Sequence, residues 1–200
     1  MKRVLRFSGH RLLGQAMLVG AALLASTAAV AANYSLDSAN SSVSFATIKK
    51  QYVVEPATLT GMSGSYKGGQ FEFSIPLSSV STGVQIRDMR LNQLFFESQK
   101  FPAVKVSGQF NTKTMAKDGV LSAKIPAKVT LFGQTKQIMF PVTVLKAGQF
   151  MQVSSSAPVI INAADFGIPA ENLKRLSATV GGIPLSDKVP VDINLIFRQR

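Results

Sequence analysis

The chain has 200 residues, 46% hydrophobic and 16% charged, with a formal net charge of +12, no Cys, no Trp and one His. That length suits one domain, or one domain plus a targeting segment, and the composition is too apolar for intrinsic disorder. The absence of cysteine excludes a disulfide framework, a thiolate metal site, a thiol nucleophile and a lipid-modified N-terminal cysteine.

The first element is a targeting segment. Lys2, Arg3, Arg6 and Arg11 carry the opening without an acid, Leu12 to Ala25 is apolar apart from Gln15, and small residues run to Ala32. Basic, apolar and small-residue regions in that order predict a cleavable secretory signal peptide over residues 1–32, cut after Ala31 or Ala32. The rival is an uncleaved anchor, since Leu12 to Ala32 is nearly long enough to span a bilayer. Ser26-Thr27 and the lack of a flanking stop-transfer charge favour cleavage. His10 lies in this segment, so residues 33–200 hold no imidazole. An exported chain does not meet chromosomal DNA, so no nucleic-acid partner is expected. The scattered Lys and Arg read as a solvated face, with weak contact to an anionic membrane surface as the functional alternative.

Residues 33–200 contain no repeat or linker and read as one domain. Period-two alternation dominates it. Val43 and Phe45 open the pattern, followed by Phe71, Phe73 and Ile75, then Val104, Val106 and Phe110. Leu121 to Leu131 and Ile138 to Val144 continue it, and Val189 to Phe197 close it. Gly68-Gly69, Asp118-Gly119, Phe132-Gly133-Gln134 and Ala147-Gly148 mark turns, and the short gaps make neighbouring strands antiparallel. About eight such strands bury one face each in a sandwich or a closed barrel. Pro76, Pro126, Pro141 and Pro190 predict bulges or frayed strand ends. Gly83 to Gln99 breaks the alternation with helical spacing and predicts a short helix of two to three turns. Ala163 to Phe166 and Glu171 to Leu176 suggest a further helical turn each.

The same residues exclude most common chemistry. There is no histidine for a Ser-His-Asp site, no phosphate-binding loop, and no donor set for an imidazole or thiolate metal site. No catalytic residue, metal or cofactor is therefore expected. A carboxylate pair drawn from Asp37, Glu55, Glu72, Asp88, Glu97, Asp165 and Asp192 is the remaining enzymatic option, and nothing in their spacing brings two of them together. All of the 13 Phe except Phe7 follow the leader, several on inward strand positions. Periodicity leaves two readings of them: an aromatic core, or the lining of a cavity for an apolar ligand.

A resemblance bears on that choice. Ser81-Thr82-Gly83, Ile86-Arg87-Asp88-Met89-Arg90-Leu91, Leu94-Phe95-Phe96 and Phe101-Pro102-Ala103-Val104 resemble the central block of the YceI-like family. Val129 to Lys136 resembles its Leu-Thr-Leu-x-Gly-x-Thr-Lys hairpin, and Asn162 to Ile168 its Asp-Phe-Gly-Ile element. Tyr34-Ser35-Leu36-Asp37 with Ser42 to Phe45 also fits. The resemblance implies an all-β, antiparallel, eight-stranded lipocalin-like barrel in the bacterial periplasm, enclosing a polyisoprenoid or similar long-chain lipid as carrier or scavenger, without catalytic residues. Where many relatives have histidines this chain has Arg90 and the stretch Ala46 to Glu55, so its head-group contact differs. The alternative is a filled barrel that serves as an interaction module through Tyr52-Val53-Val54 or the Arg87–Phe96 segment.

On alternation and resemblance together, the expected ligand-binding residues are Phe45, Phe71, Phe73, Val106, Phe110, Val129, Leu131, Ile138, Phe140, Val142, Ile193 and Leu195. Lys49, Lys50 and Arg90 are the head-group candidates. Arg87 and Asp88 are expected to contact each other and orient the helix over the barrel.

Overall fold

The computed structural model describes residues 33–111 and 118–200. The expected signal peptide and its cleavage site lie outside the described residues.

Alternating side chains give the described residues eleven strands: β1 (Tyr34–Leu36), β2 (Ser42–Lys49), β3 (Val53–Leu59), β4 (Ser63–Lys67), β5 (Gln70–Pro76), β6 (Ala103–Gln109), β7 (Gly119–Leu131), β8 (Gln134–Ala147), β9 (Phe150–Ser155), β10 (Val159–Asn162) and β11 (Lys188–Gln199). Their pairing is antiparallel and closes on itself in the order β1, β4, β5, β6, β7, β8, β9, β11, with β11 returning to β1. The remaining three strands extend positions already in the ring. β2 follows β1 along β11, with Phe45 opposite Val191. β3 pairs with β2, and β10 follows β9 on the other side of β11. Eight positions therefore make one closed antiparallel barrel, as the alternation and resemblance together imply. Sheet closure removes the exposed edges that an open sheet would have to protect.

The four prolines refine the expectation of bulges. Pro126 and Pro141 sit inside the β7–β8 ladder, whose register runs without interruption from Gly119–Lys146 to Leu131–Gln134. Each stands where the ladder on its other side ends: β6–β7 pairing stops at Ala127, and β8–β9 pairing at Val142. Pro190 lies just past the last β11–β2 pair, and Pro76 ends the β5–β6 pairing. A missing N–H costs nothing where no partner strand remains, so these prolines end ladders and make no bulge.

The two connections that carry α-helix lie at one end of the barrel. Between β5 and β6 the chain forms a 3-10 turn, helix α1 (Gln85–Arg90) and a π-helical turn over Leu91–Phe95. Between β10 and β11 it forms a 3-10 turn over Ala163–Phe166 and helix α2 (Ala170–Ala178). Among the described residues no helix is long and apolar enough to cross a membrane. At the opposite end, burial raises the pKa of the Tyr34 hydroxyl, with smaller contributions from Tyr66 and Asp118.

Inward strand positions supply Phe197, Val142 and Val144 to the core and the connections add Phe166, Met62 and Leu77, all almost completely enclosed. Two aromatic rings lie flat against the wall because glycines stand opposite them. Phe71 pairs with Gly108 and Phe73 with Gly64, and the two rings stack at 5.3 Å with 13° between planes. A Cβ on Gly108 would lie 2.4 Å from the Phe71 ring and 2.8 Å from the Pro126 carbonyl oxygen. Gly108→Ala is therefore expected to lower stability by about 1–3 kcal/mol through overpacking, read as a lower urea midpoint with an unchanged slope.

The β7–β8 hairpin shows how the fold supports strained backbone. Its two turn residues are Phe132 at φ 51° and Gly133 at φ 78°. The left-handed conformation suits the glycine and disfavours phenylalanine. The Phe132 ring is held 4.1 Å from that of Phe101, beneath the helical end.

Candidate functional site

Two apolar cavities lie within the barrel and at its helical end. The interior one is about 80 Å³ and is walled by Phe71, Phe73, Val106, Phe110, Phe140, Val142, Ile193 and Leu195 together with Tyr66, Ile125, Ala127, Met151, Val153 and Phe197. The Tyr66 hydroxyl donates to the Phe110 carbonyl at 2.8 Å. With no polar group turned into it, such a void is unfavourable for water and suited to hydrocarbon. The second cavity, about 180 Å³, forms the mouth. The end of β2 supplies Phe45 and Ile48, α1 and the π-turn supply Ile86, Leu91 and Phe95, and α2 supplies Leu173 and Leu176.

Of the twelve residues expected to line a ligand cavity, eight surround the interior void and Phe45 lines the mouth. Val129 and Leu131 are buried core residues bordering neither cavity, and Ile138 packs against that core. All twelve occupy inward positions, but the inner surface is longer than either void, so facing inward does not by itself place a residue on one.

Cations collect at the mouth. Lys49, Arg87 and Arg90 line it, whereas Lys50 sits exposed on the β2–β3 hairpin. Arg87 does not contact its neighbour Asp88 as expected. Helical residues one apart point in different directions. The Arg87 guanidinium instead reaches across to β3 and binds both carboxylate oxygens of Glu55 at 3.0 Å, and Lys49 pairs with the same carboxylate. Asp88 turns the other way and accepts from Thr82 N at 2.8 Å and Thr82 Oγ1 at 2.6 Å, fixing the chain that enters α1. Three basic groups thus face the mouth around a single carboxylate. That arrangement suits an anionic or strongly polar head group above an apolar chain.

The residue that fixes the roof gave no pattern signal. Asn172 on α2 is one of two fully buried polar residues among those described. Its Nδ2 donates to the Phe95 carbonyl at 3.1 Å and to Glu97 Oε1 at 2.8 Å, while its Oδ1 accepts from Arg175 at 2.6 Å. Asn172→Ala removes these three bonds, leaving Glu97 and Arg175 only their own 3.6 Å ion pair, and is expected to cost about 1–3 kcal/mol. Hydrogen exchange at α2 and the π-turn should rise before that of the barrel strands.

No three His, Cys, Asp or Glu among the described residues are grouped to hold a metal ion. Of the seven carboxylates considered for glycoside chemistry, Asp88 and Glu97 line one polar cleft beside α1 and the π-turn, where Asp88 is held by Thr82 and Glu97 by Asn172; Glu55 is ion-paired at the mouth and Asp37 caps a 3-10 turn.

The YceI-like domain matches residues 34–197 of the chain. Among solved structures, a polyisoprenoid binding domain from Saccharophagus degradans implicated in plant cell wall breakdown is similar at 26% identity and TM-score 0.79, over 84% of this chain and 98% of that one. BcnA of Burkholderia cenocepacia has the same fold at 16% identity and TM-score 0.60, over 80% of this chain and 98% of its own. No curated protein matches the chain.

Proposed function

Because the chain belongs to the YceI-like family, we propose that it is a periplasmic lipid-binding protein that encloses a polyisoprenoid or similar long-chain amphiphile, acting as carrier or scavenger and not as an enzyme. The observation that carries this reading is the pair of apolar cavities, one of them ringed by Lys49, Arg87 and Arg90. The likeness to a polyisoprenoid binding domain supports it. Each buried methylene contributes roughly 0.8 kcal/mol. A chain of about ten therefore gains about 8 kcal/mol before the cost of immobilising ligand and side chains. The leader of residues 1–32 supplies the route to the periplasm.

Size is the observation that favours a second reading. An apolar cavity of about 150 Å³ accepts a benzene-sized molecule, so voids of about 80 and 180 Å³ hold short stretches of chain. A longer lipid has to turn aside rings such as Phe140. If it does not, the barrel is filled and acts as an interaction module. Solvent extraction of the purified chain, followed by mass spectrometry of the extract, separates the two. A long-chain amphiphile bound in fixed proportion to protein supports the carrier, and a lipid-free extract with no uptake of added prenol or fatty acid supports the filled barrel.

A further inference from the structure

Among the described residues, five large apolar side chains left in solvent gather at the mouth, while Val120, Leu145 and Phe150 lie at the opposite end. Tyr52, Val53, Val54, Val84 and Ile86 are all exposed, Tyr52 at 79%, and all belong to the β2–β3 hairpin or the start of α1. The two segments meet there, since Val84 and Ile86 line the same cavity as Ile48 and Arg87 binds Glu55 of β3. A cluster of this kind marks a surface that is covered in use.

The hairpin tip adds a second observation. Lys50 and Gln51, neither a glycine, adopt left-handed φ angles of 49° and 70°. Such backbone persists only where neighbouring structure holds it. Here Lys50 N donates to the Pro184 carbonyl at 3.0 Å and Ser186 N to the Ile48 carbonyl at 2.9 Å. Charge is the third observation. Lys50 and Arg90 pair with no described acid, and Lys49 and Arg87 share one carboxylate.

We propose that this rim docks the barrel, mouth first, on an anionic lipid surface. Tyr52 and the flanking valines enter the headgroup boundary, and Lys50 and Arg90 face lipid phosphates. An aromatic tip, aliphatic flanks and surplus cations are the composition of an interfacial anchor. The apolar groups project from a hairpin tip and do not line a groove, so a deformable lipid surface fits them better than a rigid acidic protein. Docking does not rest on the lipid-carrier reading, because a barrel with a filled interior would bind through the same rim.

The test is flotation of the chain as recovered from cells, its N-terminus fixed by intact mass. The vesicles are phosphatidylcholine alone, or phosphatidylcholine with about a third phosphatidylglycerol. Binding should require the anionic lipid and weaken with salt. Lys50→Glu should lower it about tenfold, and Tyr52→Asp with Val54→Asp by at least as much, with melting temperatures unchanged because these side chains are exposed. Leu145→Asp, at the opposite end, should bind like the unaltered chain. Absence of vesicle binding, binding that ignores lipid charge, or equal loss in Leu145→Asp would overturn the proposal. So would capture by an acidic protein surface with no vesicle binding.

Discussion

Phe197→Ala is expected to cost about 3–5 kcal/mol of stability while raising the amount of lipid the protein holds. Phe197 is 2% exposed and its ring lies 5.7 Å from that of Phe73. Truncation removes the transfer free energy of an aromatic ring and leaves a void that the surrounding strands cannot collapse into. The void does not stand alone. Phe197 already borders the interior cavity of about 80 Å³, so its removal enlarges an apolar space suited to hydrocarbon. Urea unfolding gives the first effect and solvent extraction the second. In a simple core only stability falls; in a ligand cavity the two move in opposite directions.

Glu55→Gln should weaken the fold and strengthen the binding of acidic amphiphiles. Glu55 neutralises Lys49 and Arg87 at the mouth, and its side chain is 25% exposed. Losing one partner of a fully buried pair costs about 3–5 kcal/mol; with solvent screening at this exposure, about 1–3 kcal/mol is expected. The same carboxylate competes with an incoming head group for the Arg87 guanidinium. Its neutralisation should raise affinity for a long-chain fatty acid about tenfold and leave the matching alcohol unchanged. Displacement of a fluorescent amphiphile measures both. Equal changes for acid and alcohol would remove the mouth cations from any head-group role.

The strands with a strict inward alternation of large residues were legible in the sequence, β7, β8 and β11 above all. β4 was not: its Ser63-Gly64-Ser65-Tyr66 stretch has one large apolar residue, because Gly64 yields its inward space to Phe73 across the pair. β3 was obscured by Pro56 and by the exposed valines at its start. The helical end was readable as a break in alternation, but its contacts were not. Arg87 finds Glu55 at a sequence distance of 32 residues, and Asn172 finds Phe95 at 77. Sequence spacing constrains neighbours within an element, whereas these pairings are set by closure of the barrel. Period two is likewise blind to the difference between Val106, which borders the cavity, and its cross-strand partner Val129, which does not.

Whether the barrel interior is a lipid site is read by native mass spectrometry of the unaltered chain beside Val142→Phe. Val142 is 1% exposed and borders the interior cavity, so the larger ring occupies the space a lipid chain would use. A long-chain adduct is expected on the unaltered protein, with at least a tenfold loss of that adduct in Val142→Phe, which should fold with a stability change within about 3 kcal/mol. An adduct of equal abundance on both proteins, or on neither, would contradict it.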